Sequence, residues 1–575
     1  MFFVVLFYGQ LLRISLCLNA VMALDAKFFV FILFNVLSTC FLSSVSVGFI
    51  FKAFLYSFIW LFIIYYAISF IKNRFIAESL KSFILFLGIV FSCIDIFGSY
   101  YFHLPLSNEL GNILFTTHYK ESLEFLHAYV YPHWYFVIGL ILIAIVSLKL
   151  FSLIPNKPIP LKIASILSVL FLIVEIPHTI KTIKKYKEDE ALLNADGTIE
   201  YIALAKGTYY FWRNISSLRE SNNSSQALEN ASYPKDYLVK NTGNIDNVVL
   251  IFGESLNRNF MGVYGYQAPT TPYLSALKEK GSLLAFDNVI SPAFYTDKSF
   301  TMLLTYANRD NLNQKAWYQY KNLAHILKLT DYKSVWITSQ GYGLMWGNSY
   351  YQVAKHFDTY IENDKPYDEN LVTLFKRYYN NERERESRKR KNFVVFHLIG
   401  NHFEYKNRFP KEFSHFNLNN TSYFSKNKSL RVKNNTDKQV VTDYINSVYY
   451  NDYVLYSLIE LFKDKDSLVI YLSDHGDDMF ESSAFNTHEC SNASVEIPFL
   501  IYMSDTFKQK HPQMVKSFEE ALHKPFMSDD LLHTLLLLAG IITKDYEKTR
   551  DLFNENYNDK CPRKPCDSKV YPMSK

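Results

Sequence analysis

Five mostly apolar stretches of about 20 residues or more follow one another before position 181: residues 28–51, 54–71, 82–104, 133–152 and 161–180. Each meets the roughly 20-residue requirement for a helix that crosses a bilayer. This succession constrains the fold more than any other feature, because water-exposed helices alternate apolar and polar faces and these segments do not. The mean hydropathy of -0.04 conceals it, since the chain is apolar up to about residue 180 and polar afterwards. With 575 residues, 49% of them hydrophobic and 20% charged, the sequence excludes disordered, collagenous and disulfide-scaffold proteins.

Loop charge orients the spans. The segments 72–81 (KNRFIAESLK) and 149–162, with Lys149, Lys157 and Lys162, hold most of the basic residues. The 105–132 loop carries Glu109, Glu121 and Glu124 against Lys120. The positive-inside rule makes the first two cytoplasmic, so the N-terminus is expected inside and everything after residue 180 outside. Lys181, Lys184, Lys185 and Lys187 argue the other way, but two loops agree against them. Residues 1–27, interrupted by Arg13, read as a signal-like segment, an extra span or an interfacial helix.

The net charge of +5 is small for this length, so no nucleic-acid partner is expected. The run 383–391 (RERESRKRK) interleaves Glu384 and Glu386 and reads as a solvated face. Of six cysteines, Cys17, Cys40 and Cys93 lie in apolar segments, while Cys561 and Cys566 (CPRKPC) could close a small loop in an oxidising compartment.

Residues 181–240 read as a linker, 241–550 as a catalytic domain and 551–575 as a tail. Within the domain, apolar runs at 247–254, 333–340, 392–400, 467–476 and 496–504 alternate with amphipathic stretches. That pattern predicts a mixed, largely parallel sheet covered on both faces, with chemistry gathered at the carboxyl ends of its strands. The polar residues sit there: Glu254 after VVLIFG, His402 after FHLIGN, Asp474-His475 after VIYLS, and His488 in the loop NTHEC. Carboxylate plus imidazole suits zinc, with manganese the less favoured choice. His397, on the strand itself, reads as structural.

The stretches VVLIFGESLNRNFMGVYGYQAPTTPYLSAL (248–277), YTDKSFTMLLT (295–305), GNHFEYKNRFP (400–410), YINSVYYNDYVLYSLIELF (444–462) and SDHGDDMFE (473–481) resemble bacterial phosphoethanolamine transferases of the alkaline-phosphatase/sulfatase superfamily. The resemblance implies a five-span membrane bundle followed by a periplasmic sulfatase-like domain in a Gram-negative inner membrane. It implies Glu254, Thr296, Asp474 and His475 as zinc ligands, with Thr296 the nucleophile and Thr301 or Thr305 the alternatives. His402 and His488 fall on the phosphate-site histidines, either of which would protonate the leaving group. Asn112, Thr116, Thr117 and Glu121, in GNILFTTHYKESLEFL (111–126), fall on the interfacial headgroup segment, which otherwise reads as an amphipathic helix on the membrane.

The implied reaction moves phosphoethanolamine from phosphatidylethanolamine through a phospho-threonine to a lipopolysaccharide acceptor, in a monomer. Phe294-Tyr295 stand where lipid A modifiers of the family carry Cys-Gly, so core heptose, lipid A phosphate or a protein all stay open as acceptor. The rival within the superfamily is a phosphoglycerol transferase using phosphatidylglycerol. A sulfatase proper needs a C/S-x-P-S-R motif, which does not surround Thr296. A scaffold without activity would not be expected to keep the four ligand positions together.

Overall fold

The computed structural model describes residues 21–42, 45–102, 105, 106, 123, 126–131, 133–155, 158–188, 201–341, 349–385, 391–419, 430–482, 486, 487, 490–566 and 570–572. The chain forms two compact units, residues 1–218 and 219–575.

The first unit is built from helices α1 (Ala26–Cys40), α2 (Val47–Ile68), α3 (Arg74–Phe102), α4 (Trp134–Ser152) and α5 (Leu161–Glu188). Helix α6 (Ala203–Glu229) carries the chain on into the second unit. Among the described residues, Val47–Ile68, Arg74–Tyr100 and Trp134–Ser152 are long and apolar enough to cross a membrane, whereas Ala26–Cys40 and Leu161–Ile173 are shorter apolar helices. The unbroken span expected over 28–51 is divided, because α1 ends at Cys40 and the Ser46 hydroxyl caps a new helix by accepting from Phe49 N–H. Apolarity alone does not register such a stop.

Helix α3 begins well before the expected span at 82. The basic segment 72–81 is largely its first turns, with Lys81 bridging Asp25 at 3.1 Å and Glu78 at 3.1 Å. The stretch expected as a linker holds α6, and the division between units falls inside that helix. Residues 201–207 are locked into the helices of the first unit. Asn35 Nδ2 donates to the Tyr201 carbonyl at 2.7 Å and its Oδ1 accepts from Ala203 N–H at 2.6 Å. Lys206 Nζ pairs with Asp95 at 2.9 and 3.0 Å, both side chains 2% exposed.

The second unit holds a seven-stranded sheet: β1 (Asn247–Gly253), β2 (Leu283–Phe286), β3 (Tyr332–Thr338), β4 (Thr359–Glu362), β5 (Lys391–His397), β6 (Ser467–Ser473) and β7 (Phe499–Met503). In space they run β2-β7-β6-β1-β5-β3-β4. The pairs β6–β1, β1–β5, β5–β3 and β3–β4 are parallel, and β7 runs against both its neighbours. The five apolar runs all become strands; β2 and β4, four residues each, gave too short a signal.

Both faces of β1 are covered, as its uninterrupted burial requires. Val248, Leu250 and Phe252 join one core with Phe300, which lies beyond helix α7 (Pro272–Glu279) on helix α8 (Thr296–Leu303). Val249 and Ile251 join the other with Tyr444, Ile445 and Val448 of α10 (Asn435–Glu460), and with Phe375 of α9 (Asn370–Arg385), which precedes it. Leu552 is fully buried against the first core. Cys561 and Cys566 do not pair. Cys566 is bonded to Cys490, 76 residues away, and Cys561 is a free, exposed thiol. Sequence proximity suggested the short loop; the fold brings the distant partner within 6.2 Å Cα to Cα.

Candidate active site and metal centre

The carboxyl ends of the neighbouring parallel strands β1 and β6 deliver Glu254 and Asp474-His475. The register pairs Gly253 with Ser473, so the residues just beyond emerge side by side. Ser255 adopts the left-handed region (φ 56°), a strained conformation for a residue with a side chain, and its N–H donates to Asp474 Oδ1 at 3.3 Å. The third strand end, after β5, turns at Gly400 (φ +49°). A Cβ there would stand 2.9 Å from the Glu254 nitrogen, so only glycine permits the approach. Asp368 secures that turn, accepting from Ile399 N–H at 3.0 Å and Gly400 N–H at 2.9 Å.

Glu254, Asp474 and His475 are all buried, and their ligand atoms lie within 4.8 Å of one another. Thr296, the first residue of α8, is half-buried and brings Oγ1 to 3.3 and 3.2 Å from the two Glu254 oxygens and 3.4 Å from His475 Nε2. At a helix start, its hydroxyl lies in the positive end of the helix dipole. Thr301 and Thr305 are spent on the helix, donating to the Lys298 carbonyl at 2.7 Å and the Thr301 carbonyl at 2.5 Å.

The electrostatics ask for a cation. Burial alone would raise Glu254, but the hydrogen bond and charge of His475, with the nearby His402, hold its carboxyl well below the usual range. Burial, then the Glu254 charge, drives Asp474 up, while the two carboxylates overcome burial to raise His475. His475 Nδ1 lies 2.9 Å from the Gly476 carbonyl, which can only accept, so the hydrogen sits on Nδ1. Nε2 faces Glu254 Oε1 (3.2 Å) and Asp474 Oδ2 (3.6 Å), where a second ring proton pairs it with the carboxylates and a bound cation would take that proton's place. Asp474 Oδ2 is buried with no hydrogen-bond partner among the described residues. Two buried carboxylates and an imidazole whose ligand atoms converge, the ring nitrogen giving up its proton on binding, fit a divalent metal.

His402 follows the Gly400 turn, half-buried, with its N–H donating to the Ile399 carbonyl at 3.2 Å. His397 is fully buried, its Nδ1 3.1 Å from Thr338 Oγ1 among the rings of Phe300, Trp336 and Tyr350, and burial pushes it down to about 3. It is structural. His488, Asn112, Thr116, Thr117 and Glu121 lie outside the described residues. Sequence reasoning missed Gln340, which donates from Nε2 to Glu254 Oε2 at 3.0 Å, and missed Asp368. Gln340 ends the apolar run KSVWITSQ and so sat at a strand end all along; Asp368 carried no signal.

The sulfatase family profile matches residues 246–541, just over half the chain. The chain belongs to the sulfatase family. This sulfatase-family protein is 26% identical over 477 residues to phosphoethanolamine transferase EptC of Escherichia coli K12, covering 78% of this chain and 77% of that one. The crystal structure of the C-terminal periplasmic domain of Escherichia coli EptC, in complex with zinc, aligns with a TM-score of 0.52 at 27% identity over 58% of this chain and 93% of that one. The integral membrane phosphoethanolamine transferase EptA of Neisseria meningitidis aligns with a TM-score of 0.63 over 95% of this chain and 98% of its own, at 18% identity. That last likeness is one of fold, and it takes in both units. The resemblance read from the motifs is borne out, and so is the expectation of an enzyme: the family is the sulfatase family and the relatives are transferases.

Proposed function

We propose that this protein is a membrane-bound phosphoethanolamine transferase that takes its group from phosphatidylethanolamine and passes it to lipopolysaccharide, on a core sugar or lipid A. The observation that carries the reading is the Thr296 hydroxyl, half-buried at a helix start and within 3.4 Å of both Glu254 and His475. In this reading Glu254, Thr296, Asp474 and His475 hold zinc. The zinc complex of the Escherichia coli relative supports that choice of metal. Bound zinc would lower the Thr296 pKa and offset charge on the phosphoryl oxygens.

The Thr296 hydroxyl gives up its proton to solvent, and its oxygen attacks phosphorus as the bond to the glycerol oxygen breaks. Diacylglycerol leaves with a proton from His402 or His488, and phosphoethanolamine stays on Thr296. The acceptor oxygen then attacks the same phosphorus, the bond to Thr296 breaks, and the acceptor's proton passes to the enzyme. Two displacements at one residue give ping-pong kinetics.

A lipid donor suits a chain whose first unit carries long apolar helices. The proposed placement is the Gram-negative inner membrane, with five spans, a monomeric chain and the catalytic unit in the periplasm. The periplasmic domain of Escherichia coli EptC and the integral membrane EptA of Neisseria meningitidis support the membrane and the periplasm. Asn112, Thr116, Thr117 and Glu121 are proposed to face the lipid headgroup.

Purified intact protein incubated with headgroup-labelled phosphatidylethanolamine is expected to release diacylglycerol, and Thr296→Ala to release none. Release by both would move the nucleophile elsewhere. Release from phosphatidylglycerol alone would make the protein a phosphoglycerol transferase.

A further inference from the structure

Glu254 accepts hydrogen bonds through both carboxylate oxygens, and their partners differ. Oε1 faces His475 Nε2 at 3.2 Å and accepts from the Ser255 hydroxyl at 2.8 Å. Oε2 accepts from Gln340 Nε2 at 3.0 Å. The same amide nitrogen donates to the Leu398 carbonyl at 2.8 Å, so both of its hydrogens are engaged, one on the ligand and one on the backbone beyond β5. Gln340 itself is fixed at its backbone: its N–H donates to Thr338 Oγ1 at 2.9 Å, and its carbonyl accepts from that hydroxyl at 2.9 Å. Thr338 in turn meets the buried ring of His397. The Gln340 side chain is 8% exposed, so no water competes freely for these bonds.

We propose that Gln340 is a positioning residue for the metal centre, holding Glu254 Oε2 so that Oε1 is the oxygen presented to a bound cation. The inference rests on the metal-holding reading of Glu254, Asp474 and His475. A carboxylate free to rotate samples both oxygens and loses orientation before binding. An amide donor on one oxygen removes that freedom, and supports of this kind set metal affinity by about 10–100-fold. Glutamine supplies what the place needs: two N–H groups for two acceptors and no charge beside a buried carboxylate.

The test is zinc binding by intact protein in detergent, read by competition with a chromophoric chelator, alongside the rise in Tm that zinc produces. Gln340→Met keeps the length and loses both donors. Its zinc affinity is expected to fall about 10–100-fold and its zinc-dependent Tm rise to shrink. A purely structural role would instead lower Tm equally with and without zinc while leaving affinity within about twofold of the parent, and that result overturns the proposal. Should Gln340→Met fail to fold, Gln340→Asn decides, since it keeps the amide but cannot reach Oε2; parent-like affinity there overturns it too. Parent protein that binds no zinc, or an Asp474→Asn variant that binds it equally well, would instead sink the metal reading on which this rests.

Discussion

Two buried polar clusters, one in each unit, are handled in opposite ways. In the helical unit Asp95 and Lys206 satisfy each other, and the Leu106 N–H completes Asp95 at 2.8 Å. In the catalytic unit Asp474 Oδ2 has no hydrogen-bond partner among the described residues and His475 Nε2 faces two carboxylates. Closed polarity holds elements together; open polarity leaves work for a ligand. The contrast separates residues that stabilise from residues that react, and it can be broken by substitution.

The largest effect belongs to Thr296. Thr296→Ala is expected to lower transfer at least about 10³-fold with Tm almost unchanged, because Thr296 is half-buried and its hydroxyl meets the site residues Glu254 and His475 through long bonds of 3.2 to 3.4 Å. Thr296→Ser should keep measurable activity. A large fall in Tm with Ala would place the residue on the stabilising side of the divide.

Lys206→Met should do the reverse. Leaving Asp95 buried and alone costs about 3–5 kcal/mol, and the double variant Asp95→Leu/Lys206→Met should recover most of it. Unfolding in detergent measures both. No recovery would mean that the pair does more than satisfy itself.

Much of this division can be read from the sequence. Length and apolarity reveal a helical unit, and acidic or imidazole residues after apolar runs reveal the site. The stop at Cys40 was hidden because a serine cap in an apolar stretch scarcely alters hydropathy. Gln340 was hidden for another reason: its partner is 86 residues away, and only the order β1-β5-β3 puts the two strand ends within reach. Cys490 and Cys566 follow the same rule, since pairing across 76 residues belongs to the fold and not to spacing.

That disulfide offers a smaller effect. Cys566→Ser is expected to cost about 2–4 kcal/mol in an oxidising buffer and nothing beyond the parent's own loss in a reducing one. Thermal melts with and without reductant would show it; equal melts in the oxidising buffer would remove the bond from the account.

The smallest effect concerns Glu481, whose carboxyl accepts from Asn259 Nδ2 at 3.0 Å and Asn257 Nδ2 at 2.5 Å. Burial, with the charges of Asp478 and Glu496, pushes it up to about 8 from 4.5. Its folded pKa lies above its unfolded one, so its contribution is complete below about pH 4.5 and declines as pH rises through about 8. Glu481→Gln removes that dependence, and the Tm of the variant relative to the parent should climb between pH 5 and pH 9. A flat difference across that range would refute the assignment.

Gly400 carries a consequence for how this enzyme can diversify. With φ at +49° and a Cβ barred by the Glu254 backbone at 2.9 and 3.1 Å, position 400 is closed to the other nineteen amino acids. Heritable variation in the loop it begins is therefore channelled downstream of His402, where insertions and exchanges leave the turn untouched.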